Sequence, residues 1–167
     1  HYRTYRILAQ MAVEIGTSPA KWNGVARQVK QGINEHLWRP DDGRYAGYRY
    51  GRAYLSQTPR AEALGAALVI LSGVTDEKRA KRVTQNHPVV DFGTPSFWPY
   101  IPGIPPYHNA AIWPFVTSYW TWASASAGNT PGVEHGLASL YRAAALFLTN
   151  KENMVAQTGH FEGTQIN

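Results

Sequence analysis

Apolar residues recur at helical spacing along most of the chain. Ile7, Leu8, Met11 and Ile15 follow one another at intervals of one, three and four, which predicts an amphipathic helix over 5–15. Gly16 ends it, and Ser18-Pro19 opens a second helix, because serine caps free amides and proline tolerates a first-turn position. Its apolar stripe is Trp22, Val25, Val29, Ile33 and Leu37. The period then changes. Pro40-Asp41-Asp42-Gly43 is a turn signal, and Tyr45, Tyr48 and Tyr50 follow in a glycine-punctuated stretch suited to a minor β hairpin near 38–52. Thr58-Pro59 predicts the start of a third helix with the stripe Leu64, Leu68 and Leu71, closed by Gly73, and Thr75-Asp76-Glu77 starts a shorter fourth.

Between 86 and 111 the periodicity disappears. That segment holds six of the eleven prolines, so it cannot be a helix, and Phe97, Trp98, Tyr100 and Tyr107 make it too aromatic for a disordered linker. A packed loop at a functional face is the reading. A fifth helix begins near Ile112-Trp113-Pro114 and runs to Gly128 through Phe115, Tyr119, Trp122 and Ala123. Thr130-Pro131 caps a sixth, with the stripe Val133, Leu137, Leu140, Tyr141, Ala144 and Leu148. The predicted class is all-α: six helices in three antiparallel hairpins, with one small β hairpin. Stacked hairpins bury their faces on neighbours, so three with open ends call for more hairpins or a partner.

Composition narrows the chemistry. At 167 residues with 44% hydrophobic and 16% charged residues the chain can bury a core, and without cysteine it uses neither disulfides nor thiolate-bound metal. Its six histidines show no HExxH or comparable spacing, and no phosphate loop or GxSxG elbow is present, so neither metal nor cofactor is expected. The net charge of +5 raises the question of nucleic acid, but Lys78, Arg79, Lys81 and Arg82 form the one basic run and read as a solvated helix face. No apolar run reaches the ~20 residues of a membrane-spanning helix, so no membrane partner is expected. The chain starts at His1 without an initiator methionine and stops at Asn167, and a fragment of a longer protein is expected.

Of the eleven carboxylates, Glu14, Glu35, Asp76, Glu77 and Glu134 fall on helix surfaces or first turns, and Asp41 and Asp42 in a turn. Glu62 could face solvent or a cleft. Asp91, Glu152 and Glu162 lie in irregular segments, where side chains can be held for catalysis. Four of the six tryptophans, Trp98, Trp113, Trp120 and Trp122, fall in one stretch, where they can either pack a core or stack on flat ligands.

The segment Tyr107-His108-Asn109-Ala110-Ala111-Ile112-Trp113-Pro114-Phe115, the run WRPDDGRY from Trp38 to Tyr45, and the tail Glu152-Asn153-Met154 followed by Thr158-Gly159 resemble the six-hairpin glycoside hydrolases, relatives of trehalase, processing glucosidase, glucoamylase and rhamnosidase. The resemblance spans nearly the whole chain. It implies that residues 1–167 are a partial catalytic domain, about half of an (α/α)6 toroid, from the C-terminal portion of a glycosidase. It also implies an inverting mechanism, with two carboxyl groups roughly 6.5–9.5 Å apart about an attacking water. Glu152 falls on the family's late glutamate and is the expected general base, with Glu162 in reserve. The expected acid, an aspartate, has no counterpart here. Trp98, Tyr107 and Trp113 would stack on sugar faces, and His108 and Asn109 would supply hydrogen bonds. The expected partners are an oligosaccharide or glycoside and either a second copy or the rest of the ring, in a periplasmic or secreted setting. The alternative is a non-catalytic carbohydrate-binding or assembly module on the same hairpins.

Overall fold

A computed structural model describes residues 1–148 and 151–161. It is mostly helical, with α1 (Tyr2–Glu14), α2 (Ala20–His36), α3 (Ala63–Leu71), α4 (Glu77–Asn86), α5 (Pro114–Ser126) and α6 (Thr130–Phe147). No helix among the described residues is long and apolar enough to cross a membrane, and no group of three or more His, Asp or Glu among them could hold a metal ion. α1 packs along α2 and α5 along α6, as hairpins should, but the main partner of α3 is α5, two helices on in sequence. α4 instead rests on α5 and on a short strand. A ring in which each hairpin gives one helix to the inside puts alternate helices side by side in this way.

Among the described residues four two-stranded antiparallel ladders join the helices, where one hairpin was expected. β1 (Trp38–Arg39) pairs β2 (Arg44–Tyr45), and β3 (Arg49–Tyr50) pairs β4 (Ser56–Gln57). The other two are long-range: β5 (Ala61–Glu62) with β6 (Phe97–Trp98), and β7 (Ala111–Ile112) with β8 (Met154–Val155). Two-residue strands paired across tens of residues leave no local period to read. They also shift a helix start. Thr58-Pro59 does not open α3, because Ala61–Glu62 is extended against β6, and the cap is Glu62, whose carboxylate accepts from the Leu64 and Gly65 amides. At α6 the shift is in the other direction, the cap being one residue earlier than expected: Asn129 Oδ1 accepts from Gly132 N at 3.1 Å, while Pro131 sits in the first turn.

The packed faces are the second departure. In α1 the residues inside are Ala9 and Ala12, while Ile7, Met11 and Ile15 are exposed. In α3 they are Ala63, Ala66, Ala67 and Ile70, with Leu68 exposed. In α6 Gly136, Ser139 and Ala143 face inward and Leu137, Tyr141 and Leu148 outward. Small residues let helices approach closely: a Cβ at Gly136 would stand 2.0 Å from Thr121 Oγ1 of α5. The main core therefore gathers Tyr45, Ala66, Ala67, Ile70, Val83, Trp120 and Ala123 around a few large side chains. Trp120 is core, whereas Trp122 is 57% exposed.

The WRPDDGRY run folds as the β1–β2 hairpin, held by the Arg39 guanidinium on Asp42 with Arg44 at 3.5 Å. The hydrogen bond from Arg39, and then the charges of Arg39 and Arg44, outweigh desolvation and hold the Asp42 carboxyl below its ordinary value. Its folded pKa lies below the unfolded one, so this stabilisation is present above about pH 4 and fades as pH falls through the folded value. In urea unfolding followed by circular dichroism, Asp42→Asn is expected to be less stable at neutral pH and to flatten the limb below about pH 4. An unchanged limb would assign it to other groups.

Candidate functional site

At one end of the hairpins the β7–β8 ladder lays the tail against the start of α5. Ile112 stands opposite Met154, so Glu152 arrives beside the loop that carries Tyr107. Asn109 organises that loop: its Oδ1 accepts from Ile101 N at 2.8 Å, and its Nδ2 donates to the carbonyls of Ile101 at 3.1 Å and Ile104 at 2.8 Å. Trp113 Nε1 donates to Tyr107 O at 2.8 Å, which ties the loop to α5. These bonds replace regular structure in a proline-rich stretch that cannot build its own ladder.

An aromatic cluster results. The Trp113 ring meets Tyr107 edge-on at 5.1 Å, stacks with His108 at 4.9 Å and 13°, and meets Phe115 edge-on at 5.9 Å. The Tyr107 hydroxyl donates to Glu152 Oε1 at 3.2 Å. Desolvation, with the hydrogen bond and charge of Glu152 behind it, pushes the Tyr107 phenol above its ordinary value, so the phenol keeps its proton and stays a donor. Glu152, Tyr107 and His108 are all on the surface, which puts the carboxylate and the phenol bound to it beside the aromatic rings.

The residues singled out from the sequence thus separate. Glu152, Tyr107, His108 and Trp113 come together. Trp113 is only 6% exposed, its ring being covered by Tyr107, His108 and Phe115. Asn109, 6% exposed, is a structural tie whose amide is engaged by the loop backbone. Trp98 sits in β6 against Tyr100, at 4.8 Å edge-on, and lines a separate cleft with Phe92, Tyr100 and Gln157. Glu162 lies outside the described residues.

Sequence reasoning missed Phe115, Tyr119 and Trp122 as a surface. They are 51%, 40% and 57% exposed and form one row along α5, starting at Trp113. Their 115/119/122 spacing is visible in the sequence, but spacing alone does not tell an outward row from an inward one. Glu62, left open between solvent and cleft, is half-buried and committed to the α3 cap; burial raises its pKa against those two amide bonds.

The fold has solved counterparts. The chain is similar to GH63 mannosylglycerate hydrolase of Thermus thermophilus, with a TM-score of 0.74 at 18% identity over 98% of this chain and 40% of that one. It is also similar to neutral trehalase of Saccharomyces cerevisiae, with a TM-score of 0.68 at 15% identity over 89% of this chain and 29% of that one. The chain has part of a six-hairpin glycosidase fold. No family model and no curated protein matches it. Against these two six-hairpin enzymes it spans 40% and 29% of their length, and at such identities the likeness is one of fold.

Proposed function

We propose that the chain forms about half of an (α/α)6 glycoside hydrolase ring, with Glu152 as the general base of an inverting reaction and the acid supplied from outside residues 1–167. The observation that carries this reading is the Tyr107–Glu152 hydrogen bond beside the Trp113–His108 stack, within a six-hairpin fold. A base must hold its water at a fixed place, and a carboxylate gripped through one oxygen by a phenol that stays protonated is oriented before substrate arrives. Aromatic rings suit the C–H faces of a neutral sugar. The row Phe115, Tyr119 and Trp122 extends that surface along α5.

The test is hydrolysis by a protein that carries the whole ring, with the first-formed anomer followed by proton NMR. Inversion is expected, and retention would overturn the mechanism. Tyr107→Phe is expected to lower kcat about tenfold with little change in KM, the worth of one hydrogen bond to a charged group. A purely structural tyrosine would instead lower the melting temperature and leave kcat per folded molecule alone. Calorimetry with oligosaccharides separates the non-catalytic reading: binding without turnover by the complete ring would favour a carbohydrate-binding or assembly module.

The exposed apolar residues Ile7, Met11, Val13 and Ile15 of the α1 end, with Leu137, Tyr141 and Leu146 of α6, need cover from further hairpins or a second copy. Light scattering on residues 1–167 is expected to show association, and a monodisperse monomer would contradict it.

A further inference from the structure

The other end of α5, about 20 Å from Trp113 at 1.5 Å per helical residue, carries a second concave surface. A cleft of about 620 Å³ opens between the last turns of α4 and the Gly128–Asn129 turn that leads into α6, lined among others by Lys81, Thr84, His87, Asn129, Thr130 and His135. Among the described residues, none that lines it is acidic. The cleft receives the N-terminus of α6, an 18-residue helix with no acidic side chain in its first turn. Asn129 holds that terminus in place: its Oδ1 caps Gly132 N at 3.1 Å and its Nδ2 donates to Thr84 O of α4 at 2.9 Å.

The wall of this cleft holds polar groups left unmatched among the described residues. His87 is 5% exposed, and neither ring nitrogen has a hydrogen-bond partner there; His135 Nε2 is also buried without one. The His87 ring is held against Trp120, with centroids 4.2 Å apart and the planes tilted by 37°. Buried imidazole nitrogens are nearly always paired, so three unpaired ones beside one cleft, two on His87 and one on His135, call for a partner from outside these residues. A helix N-terminus, a lysine and imidazole N–H groups are all donors or positive charge, and they converge on an acceptor of negative charge.

We infer that this cleft binds the phosphate group of a small molecule, held by Lys81, His87 and His135 at the positive end of α6. The volume falls in the range of small-molecule pockets and leaves room for an organic group beside the phosphate. The site is independent of the glycosidase reading, since none of its residues belongs to the Tyr107–Glu152 cluster.

The experiment titrates inorganic phosphate, and separately glycerol 3-phosphate, into the chain, with imidazole resonances followed by NMR and heats by calorimetry. Saturable shifts at His87 and His135 are expected, and Lys81→Gln should weaken binding at least about tenfold. Tighter binding of glycerol 3-phosphate identifies an esterified ligand; tighter binding of inorganic phosphate identifies the free ion. Lys81 is exposed, so its substitution leaves folding intact, and His135→Gln adds a second variant checked by circular dichroism. No saturable response to either probe, or binding unchanged in Lys81→Gln, overturns the inference.

Discussion

Glu152→Gln in the ring-complete protein is expected to cut kcat by about 10²–10⁴-fold, the usual contribution of a positioned general base, while saccharide affinity and melting temperature stay close to the parent's. The geometry makes this substitution informative. Glutamine keeps an oxygen that can accept the Tyr107 hydroxyl at the place where Oε1 now accepts it at 3.2 Å, so this tie to the loop is preserved. The amide loses basicity and retains shape. Steady-state kinetics with calorimetry on the same preparation separate the two effects. Turnover within a few-fold of the parent would remove Glu152 from the chemistry and leave it as a tie for Tyr107.

The contrast between legible and illegible parts has a physical origin. Helix existence was readable because apolar residues at intervals of three and four need no distant information: α2 and α5 lie close to where the spacing put them, and α4 starts where Thr75-Asp76-Glu77 signalled it. Which face turns inward was not readable. Hydrophobicity ranks Leu137 and Tyr141 above Gly136 and Ser139, yet the smaller residues are inside, because the α5–α6 approach leaves no room for a Cβ at Gly136. The site divides in the same way. Tyr107 and Glu152 are joined by the β7–β8 ladder, a long-range pairing without local period, and only the likeness of two separate motifs to one family placed them together. Asn109 was misread because an amide in a motif looks like a ligand-binding group, and nothing local shows that three backbone groups already occupy it.

Large apolar side chains on the outside and small ones between helices are two sides of one arrangement. The small faces of α3, α5 and α6 bring those helices close together, and the outward Phe115, Tyr119 and Trp122 on α5 then project from the same helix that starts the candidate site. A ring closed by further hairpins would cover part of this apolar surface and leave the remainder around its mouth, where the proposed function calls for sugar-stacking side chains. Packing and recognition would therefore draw on a single row of aromatics.

The second large effect is on acid stability and centres on His87. Burial, with the Arg44 charge adding to it, lowers the pKa of this imidazole from 6.5 to about 3, so the folded chain keeps the ring neutral where the unfolded chain protonates it. Between those two values the unfolded state binds more protons, and stability must fall as pH falls, by about 1.4 kcal/mol per pH unit for one proton. Above pH 6.5 the contribution is complete. Urea midpoints between about pH 7 and pH 3.5 are expected to trace this slope, and His87→Phe, which keeps an aromatic ring for Trp120, is expected to abolish it. Phenylalanine also removes two orphaned nitrogens, so at neutral pH the variant should match or exceed the parent in stability. The window separates this group from Asp42, whose contribution persists until the pH nears about 4. A parent whose midpoint is flat from about pH 7 to 4 would mean that the imidazole meets solvent or a partner in solution, and the buried neutral ring would have to be abandoned.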